Sequence, residues 1–217
     1  MKIDLHNHTN ASSDALTRPK EFVKAALKKG VTVIAVSDHN TMKAFHSVEK
    51  EARGKEISII PGEEIMCKEG EIIGLFLYER ISPGKSALEV LDEIKSQGAL
   101  SYAPHPFDTM RHGIRKEEIL NKIDIIEVYN SKAYPKADDD AMAFASKNGK
   151  LMGAGSDSHV AGEIGRAYVE SPDMPVRSPE ELIRALKKGK PTLKARTNLL
   201  DKVVRKVTIA GHRFLRR

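Results

Sequence analysis

Residues 19–40 read PKEFVKAALKKGVTVIAVSDHN and contain one complete helix-to-strand unit. The apolar residues at positions 22, 23, 26 and 27 are spaced to lie on one face of a helix. Pro19 near the start and Gly30 after the end are typical helix boundaries. A short run rich in β-branched residues follows from Val31, which predicts a strand ending near Asp38 and His39.

The same alternation of short apolar runs and helical stretches continues along the chain. The runs begin at Ile3, Val31, Ile57, Ile72, Ala99, Ile123 and Leu151. Two later helices are indicated by capping boxes, Ser86 with Glu89 and Ser178 with Glu181. Alternating strands and helices are typical of βα units that form a parallel sheet.

The regular alternation is interrupted between the third and fourth runs. Residues 68–70 connect them, and three residues are too few for a helix, so this pair is predicted to form a hairpin. The sequence therefore predicts an α/β fold of distorted or incomplete barrel type.

Length and composition indicate one soluble globular domain. A chain of 217 residues with 30% charged residues can bury a single core, and its only cysteine, Cys67, cannot form a disulfide within the chain. Neither a leader nor an apolar run of membrane-spanning length is evident, so we expect a cytoplasmic protein that does not enter membranes. We expect residues 1–217 to form one domain, with a barrel core in 1–159 and a C-terminal extension in 160–217.

The net charge of +6 is concentrated at the C-terminus. Residues 187–217 contain eleven Lys and Arg against one acid, Asp201, so the rest of the chain is mildly acidic. Such a basic tail can bind nucleic acid, although a solvated Lys-rich surface is the commoner explanation.

Polar side chains collect where the predicted strands end. These residues are His6, His8, Asp38, His39, Glu63, Glu64, His105, Glu127, Asn130, Asp157 and His159. Each has an ordinary explanation: His-x-His can lie on a solvent-facing strand, Asp38-His39 and Asp157-Ser158-His159 can be turns, and His105 can be a packed loop residue. Strand ends of a parallel barrel converge on one mouth, however, so all of them can share one site.

The combination predicts a metal centre. Five of the eight histidines lie at strand ends beside Asp and Glu, and imidazole with carboxylate suits Zn, Mn or Fe. A nucleophile elbow, a P-loop and a glycine-rich dinucleotide motif are all absent from the sequence, so those chemistries receive little weight.

These motifs resemble those of the PHP family, named for polymerase and histidinol phosphatase, whose members are mostly phosphoesterases. The segments, in the family's order, are DLHNH (4–8), SDHNT (37–41), PGEEI (61–65), APHP (103–106) and GSDSH (155–159). Residues 162–168, GEIGRAY, are similar to the C-terminal extension of stand-alone members. The resemblance implies a distorted seven-stranded, TIM-like β/α barrel with a site at the C-terminal strand ends that holds two or three divalent metals.

Carried over by position, the resemblance also implies a ligand set. The first metal would bind His6, His8, Glu64 and Asp157; Glu64 would bridge to a second ion that also binds His105; a third would bind Asp14, His39 and His159. Glu64 is preferred to Glu63 because the family's glutamate is second after the glycine, and neighbours on a strand face opposite ways. Glu71 stands where many relatives have histidine, which either shifts metal preference toward Mn or Fe or weakens the second site.

The function implied is hydrolysis of a small phosphate monoester or nucleotide phosphate by a hydroxide that the metals generate. Arg166 and Arg111 are candidates for holding the phosphate, and Asn130 and Lys132 for lining the mouth. The alternatives are a nuclease or 3′-end processing enzyme that uses the basic tail, hydrolysis of a carbon–nitrogen bond, and a metal-stabilised binding module without turnover. The expected partners are a small phosphorylated substrate and, through the tail, nucleic acid.

Overall fold

A computed structural model describes residues 1–197 of the chain. The strands are β1 (Lys2–Asp4), β2 (Val31–Val36), β3 (Ser58–Met66), β4 (Glu71–Leu75), β5 (Leu100–Ala103), β6 (Ile125–Asn130), β7 (Leu151–Gly155), β8 (Ala167–Glu170) and β9 (Lys190–Leu193). The helices are α1 (Pro19–Lys28), α2 (Phe45–Ala52), α3 (Ala87–Ser96), α4 (Glu117–Leu120), α5 (Pro135–Lys147) and α6 (Pro179–Lys188), with a 3₁₀ turn at Ala161–Glu163.

The first seven strands form the predicted barrel. They are adjacent in the order β7-β6-β5-β4-β3-β2-β1. The barrel closes because the chain after β1 pairs with the end of β7: Leu5 N–H donates to Ala154 O (3.2 Å) and His8 N–H to Ser158 O (2.9 Å). All seven predicted runs correspond to these strands, and the fold class is confirmed.

The predicted hairpin is also present. β3 pairs in parallel with β2 up to Pro61 and then antiparallel with β4 from Gly62 to Met66. β4 and β5 are antiparallel as well, whereas β5, β6 and β7 are parallel. Because β4 runs opposite to β3, its first residue, Glu71, lies at the end of the barrel where β3 finishes.

The strand count within residues 1–197 is nine, two more than predicted. β8 pairs antiparallel with β1, and β9 with β8, so both extend the sheet beyond the barrel. Each has only four residues, and β9 contains Pro191, which is tolerated on an edge strand and weakens the sequence signal.

Two faces of the strands bury separate cores. Val33 and Ala35 of β2 pack with side chains from all seven barrel strands, while Ile34 and Val36 pack against α1 and α2. Ser86 caps α3 in the predicted capping box, with Glu89 accepting from the Ser86 N–H at 2.7 Å. At α6 the box is only half formed, because Glu181 accepts from the Arg177 N–H instead of that of Ser178. Among residues 1–197, none of the helices combines the length and apolar character needed to cross a bilayer.

Candidate metal centre

The side chains predicted as metal ligands lie together at one end of the barrel. Contacts of 3.8 Å or less connect His6, His8, Asp14, His39, Glu64, Glu71, His105, Asp157 and His159 into one cluster. Most follow the last residue of a parallel strand, and Glu71 starts the antiparallel β4. The structure thus brings all nine together, while their roles as ligands remain predictions.

His6 and His8 face the same point because the backbone stays extended after β1. Residues two apart on an extended chain project to the same side, and the two Nε2 atoms are 3.1 Å apart. Asp157 Oδ1 lies 3.8 Å from Nε2 of His6 and 3.5 Å from Nε2 of His8. Two atoms each about 2.1 Å from one ion are separated by about 3.0–3.5 Å, so this group is suited to holding a cation.

Glu64 is the central carboxylate of the cluster. It is buried, and its oxygens lie 3.0–3.4 Å from ring nitrogens of four histidines, His6, His8, His39 and His105. Neither oxygen accepts a well-formed hydrogen bond. Burial disfavours the charged carboxylate, but the neighbouring His6 and His39 hold its pKa well below the usual range. A buried carboxylate without hydrogen-bond donors is costly unless a cation accompanies it, so a metal ion would fit beside Glu64.

A further group lies beside His8. His39 and His159 point their Nε2 atoms at Asp14 Oδ2, at 3.7 and 3.0 Å. Although burial lowers the pKa of His39, the carboxylates of Glu64 and Asp14 outweigh it and raise the value to about 11. An excess of negative charge therefore surrounds this imidazole, as expected where a cation binds.

Glu71 reaches the cluster in the position where relatives often carry histidine. Its oxygens are 3.8 Å from His39 Nδ1 and 3.6 Å from His105 Nε2. Burial, together with the charge of Glu64, raises the pKa of Glu71 to about 7. Within 4.8 Å of one another, His39, Glu64 and Glu71 offer one set of ligand atoms, and His6, Glu64 and His105 offer another.

Two residues of the cluster have strained backbones. His105 (φ 32°) and Asp157 (φ 50°) adopt left-handed conformations, which are uncommon for residues other than glycine. Hydrogen bonds hold both: His105 N–H donates to Glu127 (2.6 Å), and Asp157 N–H donates to the carbonyl of His6 (2.7 Å). Strain of this kind is concentrated at functional sites.

Glu127 supports the cluster, a role that was not predicted from its position at a strand end. Its carboxylate accepts from His6 Nδ1 (3.1 Å), the Tyr102 hydroxyl (2.8 Å) and the Asn130 amide (2.8 Å), besides His105 N–H. Donation from Nδ1 leaves Nε2 of His6 available to an ion. The sequence does contain a signal for this role. Glu127 lies two residues after Ile125 on β6, so both side chains face the interior of the barrel. Asp38 likewise binds Thr9 and Ser12 and thereby fixes the turn after His8.

We expect Glu127→Gln to weaken metal binding by about 10- to 100-fold. The glutamine side chain has the same shape, but one carboxylate oxygen is replaced by an NH₂ group. This group cannot accept the hydrogen bonds that the carboxylate accepts in the parent, so His6 loses its orientation. A competition titration with a chromogenic chelator measures the change. Tyr102→Phe, which removes one donor and leaves the His6 contact, is the matched control, and equal affinities in Glu127→Gln and the parent would contradict the assigned role.

The basic side chains predicted to lie at the site differ in their contacts. Arg111 forms an ion pair with Asp157 Oδ2 inside the cluster. The Arg166 guanidinium donates to the Thr197 hydroxyl (3.2 Å), and its backbone N–H donates to Ser156 Oγ. Lys132 is almost fully buried, with Nζ 2.6 Å from His159 Nδ1 and 3.3 Å from Asp157 Oδ1. Arg111 and Lys132 therefore contact predicted ligands directly, and the described side-chain contact of Arg166 lies with the segment after β9.

Comparisons with known proteins identify related sequences. A family model described as PHP-associated matches residues 135–191. An uncharacterized protein of Methanocaldococcus jannaschii is 35% identical over 214 residues, covering 92% of this chain and 85% of that protein. A 5′-3′ exoribonuclease of Haemophilus influenzae is 37% identical over 103 residues, covering 46% of this chain and 35% of the exoribonuclease.

Solved structures provide a comparison of the fold. A two-domain protein of Bacteroides vulgatus that contains a predicted PHP-like metal-dependent phosphoesterase superposes with a TM-score of 0.73 and 21% identity. The match covers 89% of this chain and 64% of that chain. At 21% identity, this similarity shows a shared fold.

Proposed function

The chain belongs to the PHP family, and from this membership and the site we propose that it is a metal-dependent phosphoesterase acting on a small phosphate monoester or nucleotide phosphate. The observation that carries the proposal is the position of Glu64. Two groups of candidate ligand atoms meet at this carboxylate, whose oxygens lack hydrogen-bond donors.

The ligand assignment is carried over from the family's motifs, and the contacts around Glu64 and Asp14 support it. His6, His8 and Asp157 would hold one ion, and His105 with Glu71 a second, with Glu64 shared between them. Asp14, His39 and His159 would hold a third. Imidazole with carboxylate suits Zn, Mn or Fe, and the oxygen ligand from Glu71 favours Mn or Fe. Bound there, divalent ions lower the pKa of a coordinated water and neutralise charge on phosphoryl oxygens.

The remaining residues position the substrate and the ligands. Arg111 and Lys132 place two positive charges beside Asp157, where a doubly negative phosphate can bind. We assign them to phosphate binding, with Arg166 as a further candidate. Glu127 orients His6 and fixes the backbone of His105. Side chains held at strand ends suit a site that works by positioning and charge neutralisation.

A nuclease is the second candidate. The partial match to an exoribonuclease and the basic residues from 187 onward favour it. Most of that basic tail, residues 198–217, lies outside the described part of the chain. A nuclease would bind oligonucleotides with an affinity that falls steeply as salt concentration rises, because phosphate contacts release counterions.

The deciding experiment measures phosphate release from nucleotides, sugar phosphates and short oligonucleotides with Mn, Zn or Fe added. We expect hydrolysis of a small monoester that stops with a chelator and in His8→Ala. His46→Ala is the matched control, because His46 is an exposed histidine of α2 outside the cluster. Cleavage of oligonucleotides alone would favour the nuclease, and hydrolysis that persists in His8→Ala would contradict the proposal.

A further inference from the structure

The segment after β9 returns to the rim of the metal centre. We call residues 194–197 the C-terminal strap. Lys194 N–H donates to the carbonyl of Arg166 (2.7 Å), and Thr197 N–H donates to the carbonyl of Ser131 (2.7 Å). The Arg196 guanidinium donates to the carbonyl of Ala133 (2.7 Å). The strap thus binds the loop between β6 and α5 by both backbone and side chain.

These hydrogen bonds lie on either side of Lys132 in the chain. Its two neighbours, Ser131 and Ala133, are the residues whose carbonyls accept from the strap. The Lys132 side chain reaches Asp157 and His159, and only 3% of the side-chain surface is exposed. A lysine side chain loses considerable rotamer freedom on burial. Because the strap fixes the backbone on either side of Lys132, less additional entropy is lost when this side chain is oriented.

Arg196 also connects the strap to the interior of the site. Its guanidinium pairs with Asp138 at 2.7 Å, and Asp138 is buried at the start of α5. The second oxygen of Asp138 accepts from Asn130 N–H (3.2 Å). The Asn130 amide in turn donates to Glu127 (2.8 Å) and Asp157 (3.3 Å). Hydrogen bonds through Asp138 and Asn130 therefore connect Arg196 to the predicted ligand Asp157.

We propose that Arg196 is a positioning residue that holds Lys132 in place to bind the phosphate of the substrate. The inference rests on the proposed function, which assigns Lys132 to phosphate binding. Arg196 is suited to this role because its planar guanidinium donates to Ala133 and Asp138 at the same time, whereas a lysine has no such fork. The strap thereby makes the C-terminal extension part of the substrate site.

The test is a double-mutant cycle between Arg196→Met and Lys132→Met, read as the affinity of the metal-loaded protein for inorganic phosphate by calorimetry. Phosphate binding needs no turnover, so the cycle can be read even if the protein hydrolyses none of the substrates tried. We expect each single change to weaken phosphate binding by about tenfold. In the Lys132→Met background, Arg196→Met should then have almost no further effect, because the residue it positions is gone.

Controls separate positioning from stability. Arg184→Met removes an exposed arginine of α6 that pairs only loosely with Glu181 (3.8 Å), and it should leave phosphate affinity unchanged. Arg196→Lys should restore only part of the affinity, and metal content should stay at the parent level in every variant. The inference is overturned if Arg196→Met binds phosphate as the parent does, if its effect is undiminished in the Lys132→Met background, or if Lys132→Met alone has no effect.

Discussion

Glu64→Gln should lose at least one bound metal ion and reduce phosphate release by about a thousandfold or more, since the lost charge stabilisation amounts to several kcal/mol. The substitution changes neither the size nor the shape of the side chain. It removes the negative charge on which four histidine nitrogens converge. An amide is a poorer metal ligand than a carboxylate, so both groups of predicted ligands that share this residue should bind metal more weakly.

Glu63→Gln is the matched control for this change. Glu63 is the preceding residue on β3, and its carboxylate points the other way, where it accepts from Ile81 N–H (2.9 Å) and lies 3.5 Å from Arg80. We expect this variant to keep the parent's metals and activity. Elemental analysis and initial rates compare the pair. A Glu64→Gln protein with the parent's metal content would show that Glu64 is not a ligand.

Gly155→Ala should disturb the same centre from the barrel wall. A β-carbon at this position would lie 2.3 Å from His6 Cβ and 2.4 Å from Glu127 Oε1, which are contacts that no folded structure accommodates without a shift. Overpacking at such a site costs about 1–3 kcal/mol, and we expect the upper end because both neighbours are fully buried. Metal binding should weaken at the same time, since His6 has to move.

Urea unfolding and metal titration measure both effects of Gly155→Ala. Gly162→Ala is the control, because a β-carbon there meets no atom within 4 Å and the residue has no positive φ. If Gly155→Ala unfolds at the same urea concentration as Gly162→Ala, the close packing of β7 against His6 is wrong.

The barrel could be predicted from the sequence because its signals are local. Each barrel strand lies in a short apolar run, and the hairpin between β3 and β4 follows from a connection too short for a helix. The alternation of neighbours on a strand also predicted that Glu63 and Glu64 point in opposite directions, as the structure shows. Such features depend on a few adjacent residues.

Features that depend on distant contacts were not predicted. β8 and β9 are short strands stabilised by pairing with β1 and with each other, and nothing local distinguishes them. The support of His6 by Glu127 joins residues 121 positions apart. The contacts of Lys132 with Asp157 and His159 depend on how the loop after β6 lies against the end of β7. Local sequence patterns do not allow these orientations to be predicted.

The most direct test is the metal content of the purified protein. We would load the protein with Mn, Zn or Fe, remove free ions, and determine the bound metal by elemental analysis. The arrangement around Glu64 predicts at least two divalent ions per chain, with fewer in His8→Ala and in Glu64→Gln. Less than one ion per chain under every loading condition would contradict the metal centre, and with it the proposed phosphoesterase function.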